Sequence, residues 1–157
     1  MSASNNKAII RRWNEEVWKG NQNIFDEALA PNCIFHAIGG RWELKGTIDR
    51  IRVTFPDIAL TIEDQFAVGN KVVTRWILSG THQGMLWDSA PSGKKVAYRG
   101  ITIDRLVDGR IVEEWCEADL LGLMQQIGAF DIWYEATTHP PYSPQIAPEP
   151  AAAIGSA

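Results

Sequence analysis

The stretch IVEEWCEADLLGLMQQIG, residues 111–128, changes its period in the middle. Its first half alternates apolar and polar residues, as in a strand. Its second half repeats apolar residues every three or four positions, as in an amphipathic helix. The change falls at Asp119. The sequence therefore predicts a strand that runs directly into a helix, with a carboxylate at the junction.

Three helical patterns precede this stretch. The first covers residues 9–17 with Asn5 or Asn6 as its N-cap, the second follows an Asn23 cap, and the third follows a Thr47 cap. A short strand, CIFHA at residues 33–37, lies between the second and third helices. The first third of the chain is thus predicted to be mainly helical.

Strand patterns dominate the middle of the chain. Apolar residues alternate or cluster in residues 58–68, 71–84, 96–107 and 110–118. The pairs Gly69-Asn70 and Asp108-Gly109 are hairpin turn signals. Helices first and antiparallel strands after predict an α+β domain, in which a curved, mostly antiparallel sheet of about five strands wraps over three to four helices. Such a cone-shaped barrel leaves a ligand cavity between sheet and helices.

Composition narrows the class of protein. The 157 residues fit one domain, and a net charge of −4 without basic clusters argues against nucleic acid or an anionic membrane as partner. No apolar run approaches the roughly 18 residues of a membrane span. Two cysteines form neither a disulfide framework nor a zinc motif, so reduced thiols in a cytoplasm are the simplest interpretation. We expect the domain to cover residues 1–138, and the Pro- and Ala-rich residues 139–157 to form a flexible tail.

Five segments together carry a resemblance to a known family. They are NKAIIRRWNEEVWKGN (6–21), FDEALAPNCIFH (25–36), FPDIALTIEDQFAVGNKVVTRWILSGTHQG (55–84), PSGKKVAYRGITIDRLVDGRIVEEW (91–115) and DLLGLMQQIG (119–128). In this order they resemble the SnoaL-like polyketide cyclase (ester cyclase) family over about residues 6–130. The resemblance implies a nuclear transport factor 2-like α+β cone. It also implies an intramolecular aldol ring closure on a polyketide methyl ester, without metal or cofactor.

The family pattern W-x-x-x-D-x-x-G-x-x-x-Q-x-G falls on the opening stretch. It matches Trp115, Asp119, Gly122, Gln126 and Gly128. The resemblance thereby makes Asp119 the candidate acid/base.

The chain also departs from the family. The best-known cyclases carry a Gln and a His that help hold the substrate, where this chain has Gly100 and Thr102, and a family Asn is replaced by His36. The polar residues expected around the acid therefore differ from those of the family. For this reason the resemblance predicts the fold more safely than it predicts the substrate.

Two interpretations of Asp119 remain open. As the residue before LLGLMQQIG it is a typical helix N-cap, a role that favours the charged carboxylate. As an acid/base it would point into the cavity, where apolar walls raise its pKa toward neutral. If Asp119 faces inward, strand alternation turns Glu117, Trp115 and Glu113 inward too. His36 is then a candidate catalytic partner, against the alternative of a half-buried structural histidine.

Further residues are expected to line the cavity or its mouth. The predicted substrate-binding set is aromatic and polar, and consists of Trp42, Trp76, His82, Trp87, Tyr98, Thr102, Trp115 and Glu117. No metal motif is present, and an iron site built from His36 and His82 has no supporting spacing. Arg75 and Arg99 suit ion pairs with Glu63 or Asp104 across strands.

The predicted activity is a cofactor-independent cyclisation or isomerisation of a hydrophobic, polyketide- or terpenoid-like carbonyl compound. An Asp–Arg–Asp epoxide hydrolase of the same fold and a ligand-binding module without chemistry are the alternatives. Apolar residues such as Val73, Ile77, Ile101 and Ile103 exceed what one sheet face needs. We therefore expect a homodimer, or a dimer of dimers, through the outer face of the sheet.

Overall fold

A computed structural model describes residues 2–129, and the predicted tail at 139–157 lies outside this range. The described part contains four helices and six strands. In chain order they are α1 (Ala3–Val17), α2 (Asn23–Ala28), β1 (Leu29–Ala37), β2 (Gly40–Trp42), α3 (Leu44–Thr54), β3 (Ala59–Val68), β4 (Lys71–Thr81), β5 (Lys95–Val107), β6 (Arg110–Ala118) and α4 (Leu120–Ile127). The predicted order of elements is confirmed, with the three-residue β2 as an additional strand.

The strands form one curved sheet in the order β2-β1-β6-β5-β4-β3. All neighbours are antiparallel except β1 and β6, which are parallel. Both predicted hairpins are present, since β3 pairs with β4 across Gly69-Asn70 and β5 pairs with β6 across Asp108-Gly109. The α+β prediction is therefore correct.

None of the caps predicted for the first three helices is confirmed. Asn23 is the first residue of α2 rather than its cap, and the other two predictions are wrong by about one turn. Helix α1 is capped by Ser2, whose side chain accepts a hydrogen bond from the Asn5 amide. The buried Asn6 instead donates to the carbonyl of Gly69, 63 residues away in sequence. Helix α3 is capped by Glu43, and the Thr47 hydroxyl donates back to the Glu43 carbonyl. Polar side chains that suit a cap locally are thus used for other hydrogen bonds.

A bulge in β6 sets which side chains face each other across the last hairpin. Arg105 pairs with Glu113, but the next residue, Leu106, pairs with Ile111, so Val112 is the extra residue. Such an insertion shifts the partners of every residue beyond it. Consequently Asp104 lies opposite Glu114.

The core has two parts that meet on the concave face of the sheet. Near α1 and α2, Trp13 packs edge-on against Phe25 with ring centroids 5.4 Å apart. Near α4, the buried Leu123 and Ile127 pack against the side of the sheet that carries Trp76. Burying each such side chain contributes about 1.5–3 kcal/mol, enough to hold a helix of eight residues against the sheet.

Candidate active site

A cavity of about 490 Å³ lies between the concave face of the sheet and the helices. Its walls are mainly apolar and aromatic, and include Trp13, Trp18, Phe35, Leu60, Trp76 and Tyr98. A concave, apolar space of this size with a few polar groups is typical of a site for a small organic molecule.

Seven of the ten predicted site residues line this cavity. They are Trp42, Trp76, Trp87, Tyr98, Thr102, Glu117 and Asp119. The other three, His36, His82 and Trp115, are not part of its lining. The cavity lining therefore agrees with the sequence for the residues near the mouth and for three residues of β4 and β5.

Asp119 lies at the cavity and also caps α4. Its Oδ1 accepts a hydrogen bond of 2.8 Å from the Gly122 amide, and the residue itself is exposed. Strand alternation predicted that Trp115 faces the same side as Asp119. It does not, because β6 ends at Ala118 and the chain turns at Asp119 with ψ 70°. The two interpretations of Asp119 are therefore compatible, since the cap fixes one carboxylate oxygen in a residue that borders the cavity.

The other residues of the family pattern have identifiable structural roles. A Cβ on Gly122 would lie 2.3 Å from Oδ2 of Asp119, so glycine leaves room for the carboxylate. The Gln126 amide group binds both the N–H and the C=O of Ala97 at 2.9 Å, which fastens α4 to β5. Gly128 ends the helix with φ 83°, a left-handed conformation that suits glycine. The pattern thus describes how one carboxylate is held at the cavity.

His36 and Trp115 belong to a cluster on the convex face of the sheet. The two rings stack with centroids 5.4 Å apart, and Nε2 of His36 lies 2.9 Å from Oε1 of Glu113. Arg105 donates to the other oxygen of Glu113 at 2.8 and 3.0 Å. The predictions of His36 as a partner of Asp119 and of Trp115 as a cavity wall are therefore wrong. The predicted inward direction of Glu113 is wrong for the same reason, because the strands present these side chains to the opposite face.

His82 was expected at the rim of the cavity, but it is fully buried. Its Nδ1 lies 3.1 Å from the Ser92 hydroxyl, and its ring packs against Phe55 with centroids 5.7 Å apart. The backbone N–H and C=O of His82 also bind Lys94 and Gly93. The residue therefore anchors the loop between β4 and β5.

This loop and β2 bring exposed apolar side chains to the cavity mouth. Trp42 and Trp87 are 49% and 56% exposed although both border the cavity. The Trp42 indole donates to the Ile38 carbonyl at 2.8 Å, and the Thr54 hydroxyl donates to the carbonyl of Met85 at 2.9 Å. The mouth is therefore apolar and is hydrogen-bonded to α3 and to the turn that follows β1.

Gly100 explains one departure from the family pattern. A Cβ at this position would lie 2.2 Å from Cζ2 of Trp76, its neighbour on β4. The absence of a side chain thus provides the space that the Trp76 indole fills, edge-on to Tyr98 at 5.9 Å. An aromatic wall thus stands where the resemblance would lead us to expect a glutamine side chain.

Two buried acids lie together on the concave face. The prediction of Asp104 as an ion-pair partner of an arginine is wrong, because both of its oxygens are buried without a donor among the described residues, and Glu114 was missed from the sequence. Asp104 is 1% exposed and Glu114 is 6% exposed, and Glu114 lines the cavity. Burial raises the pKa of Asp104 to about 7, and burial together with the charge of Asp104 raises the pKa of Glu114 well above its ordinary value. Near neutral pH this pair therefore holds protons that exposed carboxyls would release.

Sequence reasoning had a partial signal for this pair. Counting outward from the Asp108-Gly109 turn without a bulge places Asp104 opposite Glu113 rather than Glu114. The sequence Glu113-Glu114 does say that one of the two acids faces inward, because neighbours on a strand face opposite sides. Only the bulge at Val112 decides which one.

Within the described residues 2–129, no three His, Cys, Asp or Glu side chains converge as metal ligands would. Arg75 forms an ion pair with Glu63, as predicted for a cross-strand pair. In the same range, no helix has the length and apolar character needed to cross a bilayer.

Comparison with known proteins gives one family match. The family model described as SnoaL-like polyketide cyclase matches residues 8–127. No curated protein matches the chain significantly. The family match covers both the cavity and the Asp119 region.

Solved structures share the fold at low sequence identity. TsrD from Streptomyces laurentii is 26% identical, with a TM-score of 0.74 over 83% of this chain and 99% of that one. IdmH from Streptomyces antibioticus, described as a candidate polyketide cyclase, is 26% identical, with a TM-score of 0.70 over 78% and 98%. AclR from Streptomyces galilaeus, described as a candidate hydroxylase, is 20% identical, with a TM-score of 0.76 over 85% and 87%. A protein from Catenulispora acidiphila with a TM-score of 0.64 is described as having a ketosteroid isomerase-like fold.

Proposed function

Since the chain belongs to the SnoaL-like polyketide cyclase family, we propose that it is a cofactor-independent enzyme that closes a ring, or moves a double bond, in a hydrophobic carbonyl compound. Asp119 is the proposed acid/base. The observation that carries this proposal is the place of Asp119, a carboxylate held at the border of a mainly apolar cavity.

The chemistry requires two proton transfers that one carboxylate can perform. Asp119 takes a proton from the carbon beside a carbonyl group, and the resulting enolate attacks a second carbonyl carbon of the same molecule. The alkoxide formed by this attack then receives the proton, which restores the carboxylate. A positioned carboxylate contributes about 10²- to 10⁴-fold to such a transfer. The hydrogen bond from Gly122 engages Oδ1, which leaves Oδ2 for the substrate.

The cavity walls supply binding and orientation. Trp76 and Tyr98 form an aromatic corner, and burial keeps the Tyr98 phenol neutral by raising its pKa. Thr102 adds a hydroxyl on the same wall, and Glu117, Trp42 and Trp87 border the opening. These features support a flat, mainly apolar substrate with few polar atoms, of the polyketide or terpenoid class.

The two cysteines support chemistry without a thiol nucleophile. Burial and the nearby carboxyls raise the pKa of Cys33 to about 12, and they raise the pKa of Cys116 as well. A thiol that stays protonated is a weak nucleophile. Both residues are free thiols, which supports the proposal of a reducing, cytoplasmic environment.

We also propose that the protein forms a homodimer, or a dimer of dimers, through the convex face of the sheet. Ile101 is 47% exposed and Phe66 is 53% exposed, which is costly for a face in contact with water. Val73 pairs with both Phe66 and Ile103 across the strands, so the apolar positions are contiguous. A contiguous apolar patch of this kind is typical of an interface.

A panel of three compound classes in D₂O tests the proposed reaction. It contains an aromatic polyketide methyl ester that can undergo aldol closure, a β,γ-unsaturated polycyclic ketone, and a cyclic terpene epoxide. We expect turnover of the ester or the ketone. The isomerised ketone should carry deuterium at the carbon that receives the proton, and ester recovered before closure should carry deuterium at the carbon beside its carbonyl, because the enolate is reprotonated there. Turnover of the epoxide alone, without deuterium in the product, would favour the hydrolase alternative, and turnover of none would favour a binding module.

A further inference from the structure

Asp104 and Glu114 take no part in the steps above, although they are the most buried acids of the concave face. They lie directly opposite each other on β5 and β6. Glu114 lines the cavity, whereas Asp104 lies behind it and is 1% exposed. Their arrangement is therefore a carboxyl pair with one member at the cavity.

The hydrogen-bond partners of this pair are incomplete. Within the described residues, both oxygens of Asp104 and Oε2 of Glu114 are buried without a hydrogen-bond donor. A buried carboxylate without donors or a counter-ion is strongly disfavoured, so such a group takes up a proton. The two side chains are close enough to hydrogen-bond to each other once a proton is present. Oε2 of Glu114 remains a polar atom without a protein partner beside an apolar cavity.

No cation among the described residues neutralises the pair. Besides burial, the two acids raise the pKa of two nearby thiols, those of Cys33 on β1 and Cys116 on β6, and both thiols stay protonated. The strand β4 presents Val72 opposite Asp104. No lysine, arginine or histidine of residues 2–129 contributes to the pKa of either acid. Since no protein donor or cation within this range meets these oxygens, a proton, a ligand or an ordered water is needed to satisfy them.

We propose that the neutral pair is a hydrogen-bond relay, in which the Asp104 hydroxyl donates to Glu114 and the Glu114 hydroxyl donates to an oxygen of the substrate. The ligand class is a planar apolar molecule with a carbonyl or enol oxygen at its inner end. When Asp119 removes the proton from carbon, the electron pair passes to this oxygen, and the Glu114 hydroxyl stabilises the enolate without leaving Glu114. The substrate is that of the proposed function, on which the inference rests.

The relay has a pH dependence with a definite sign. While both acids are protonated, the Glu114 hydroxyl is available to the ligand. Because burial raises the pKa of Asp104 to about 7, Asp104 ionises first as the pH rises, and its carboxylate then draws the Glu114 hydroxyl to itself. Affinity for an enolate-like oxygen should therefore fall as the pH rises through neutrality.

Binding of 7-hydroxycoumarin tests the relay without turnover. This planar phenol ionises near neutral pH to a phenolate that resembles an enolate, and its two forms absorb at different wavelengths. Dissociation constants, expressed for the phenolate, are measured from about pH 6 to about pH 9. The variants are Asp104→Asn, Glu114→Leu and, as matched control, Glu113→Gln, which changes the neighbouring acid on the convex face.

The expected results separate a relay from a structural role. Wild type and Glu113→Gln should lose affinity with rising pH, whereas Asp104→Asn, which cannot ionise, should show a much flatter profile. Glu114→Leu should bind about ten- to a hundredfold more weakly at the acid end, the usual loss for a hydrogen bond to a charged group.

Three results would overturn the relay. They are parallel pH profiles in wild type and Asp104→Asn, wild-type affinity in folded Glu114→Leu, or no phenolate binding to the wild type. If Glu114→Leu does not fold, the Asp104→Asn profile decides alone. Because binding requires no turnover, an active Asp119→Asn enzyme would refute the proposed function while leaving this test valid.

Discussion

Replacing Asp104 by Asn should stabilise the protein, and the gain should grow with pH. The folded state holds the Asp104 proton up to about pH 7, whereas the ordinary pKa of the group is 3.8. Between these values the unfolded chain binds fewer protons than the folded one, so wild-type stability falls as the pH rises. Three pH units at about 1.4 kcal/mol each give a cost of about 4 kcal/mol for ionised Asp104 above neutrality.

Urea unfolding from about pH 4 to about pH 8 measures this cost directly. Asn has nearly the shape of Asp but cannot ionise. We therefore expect Asp104→Asn to match the wild type within about 1 kcal/mol at the acid end, and to exceed it by up to about 4 kcal/mol at the alkaline end. Asp108→Asn, the same change at the exposed turn of the same hairpin, is the control and should give a flat difference. A pH-independent difference for Asp104→Asn would refute the burial of an ionisable acid at this position.

Four other changes have defined outcomes. Gly122→Ala should displace the Asp119 carboxylate, because the added Cβ would lie 2.3 Å from Oδ2. Steady-state kinetics should show turnover lowered about tenfold or more, and circular dichroism should show that the protein stays folded. Gly100→Ala should cost about 1–3 kcal/mol in urea unfolding by forcing Trp76 aside, and unchanged stability would contradict that contact. Glu113→Gln should destabilise the fold at neutral pH but not in acid, because hydrogen bonds from Arg105 and, to a smaller extent, from His36 lower the pKa of Glu113. Equal effects on the free energy of unfolding at both pH values would contradict this. Ile101→Lys should convert a dimer to a monomer in light scattering, and an unchanged mass would count against the convex interface.

The fold was predictable because its signals are local. Alternation, helical periodicity and two hairpin turns are each contained in a few residues, and they agree with one another. The helix caps were less predictable, because Asn6 and Thr47 suit a cap but form other hydrogen bonds. Which of two possible hydrogen bonds such a side chain forms can be predicted only when its distant partner is known.

The site was predictable only in part, because the face of the sheet on which a side chain lies depends on irregularities of the strands. Thr102, Tyr98 and Trp76 were placed correctly, since they share one side of the adjacent strands β4 and β5. Trp115 was misplaced because alternation was extended from Asp119 across the point where β6 ends. The acid pair was missed because a bulge shifts the register, and neither a bulge nor a strand end has a strong sequence signal here.

The activity of Asp119→Asn on the compound that the wild type converts tests the central claim most directly. Asn retains the helix cap about as well as Asp but cannot carry a proton through the cycle. We predict that this variant melts within a few degrees of the wild type and loses about two to four orders of magnitude in kcat. Full activity in Asp119→Asn would contradict the proposed acid/base role and leave Asp119 as a helix cap.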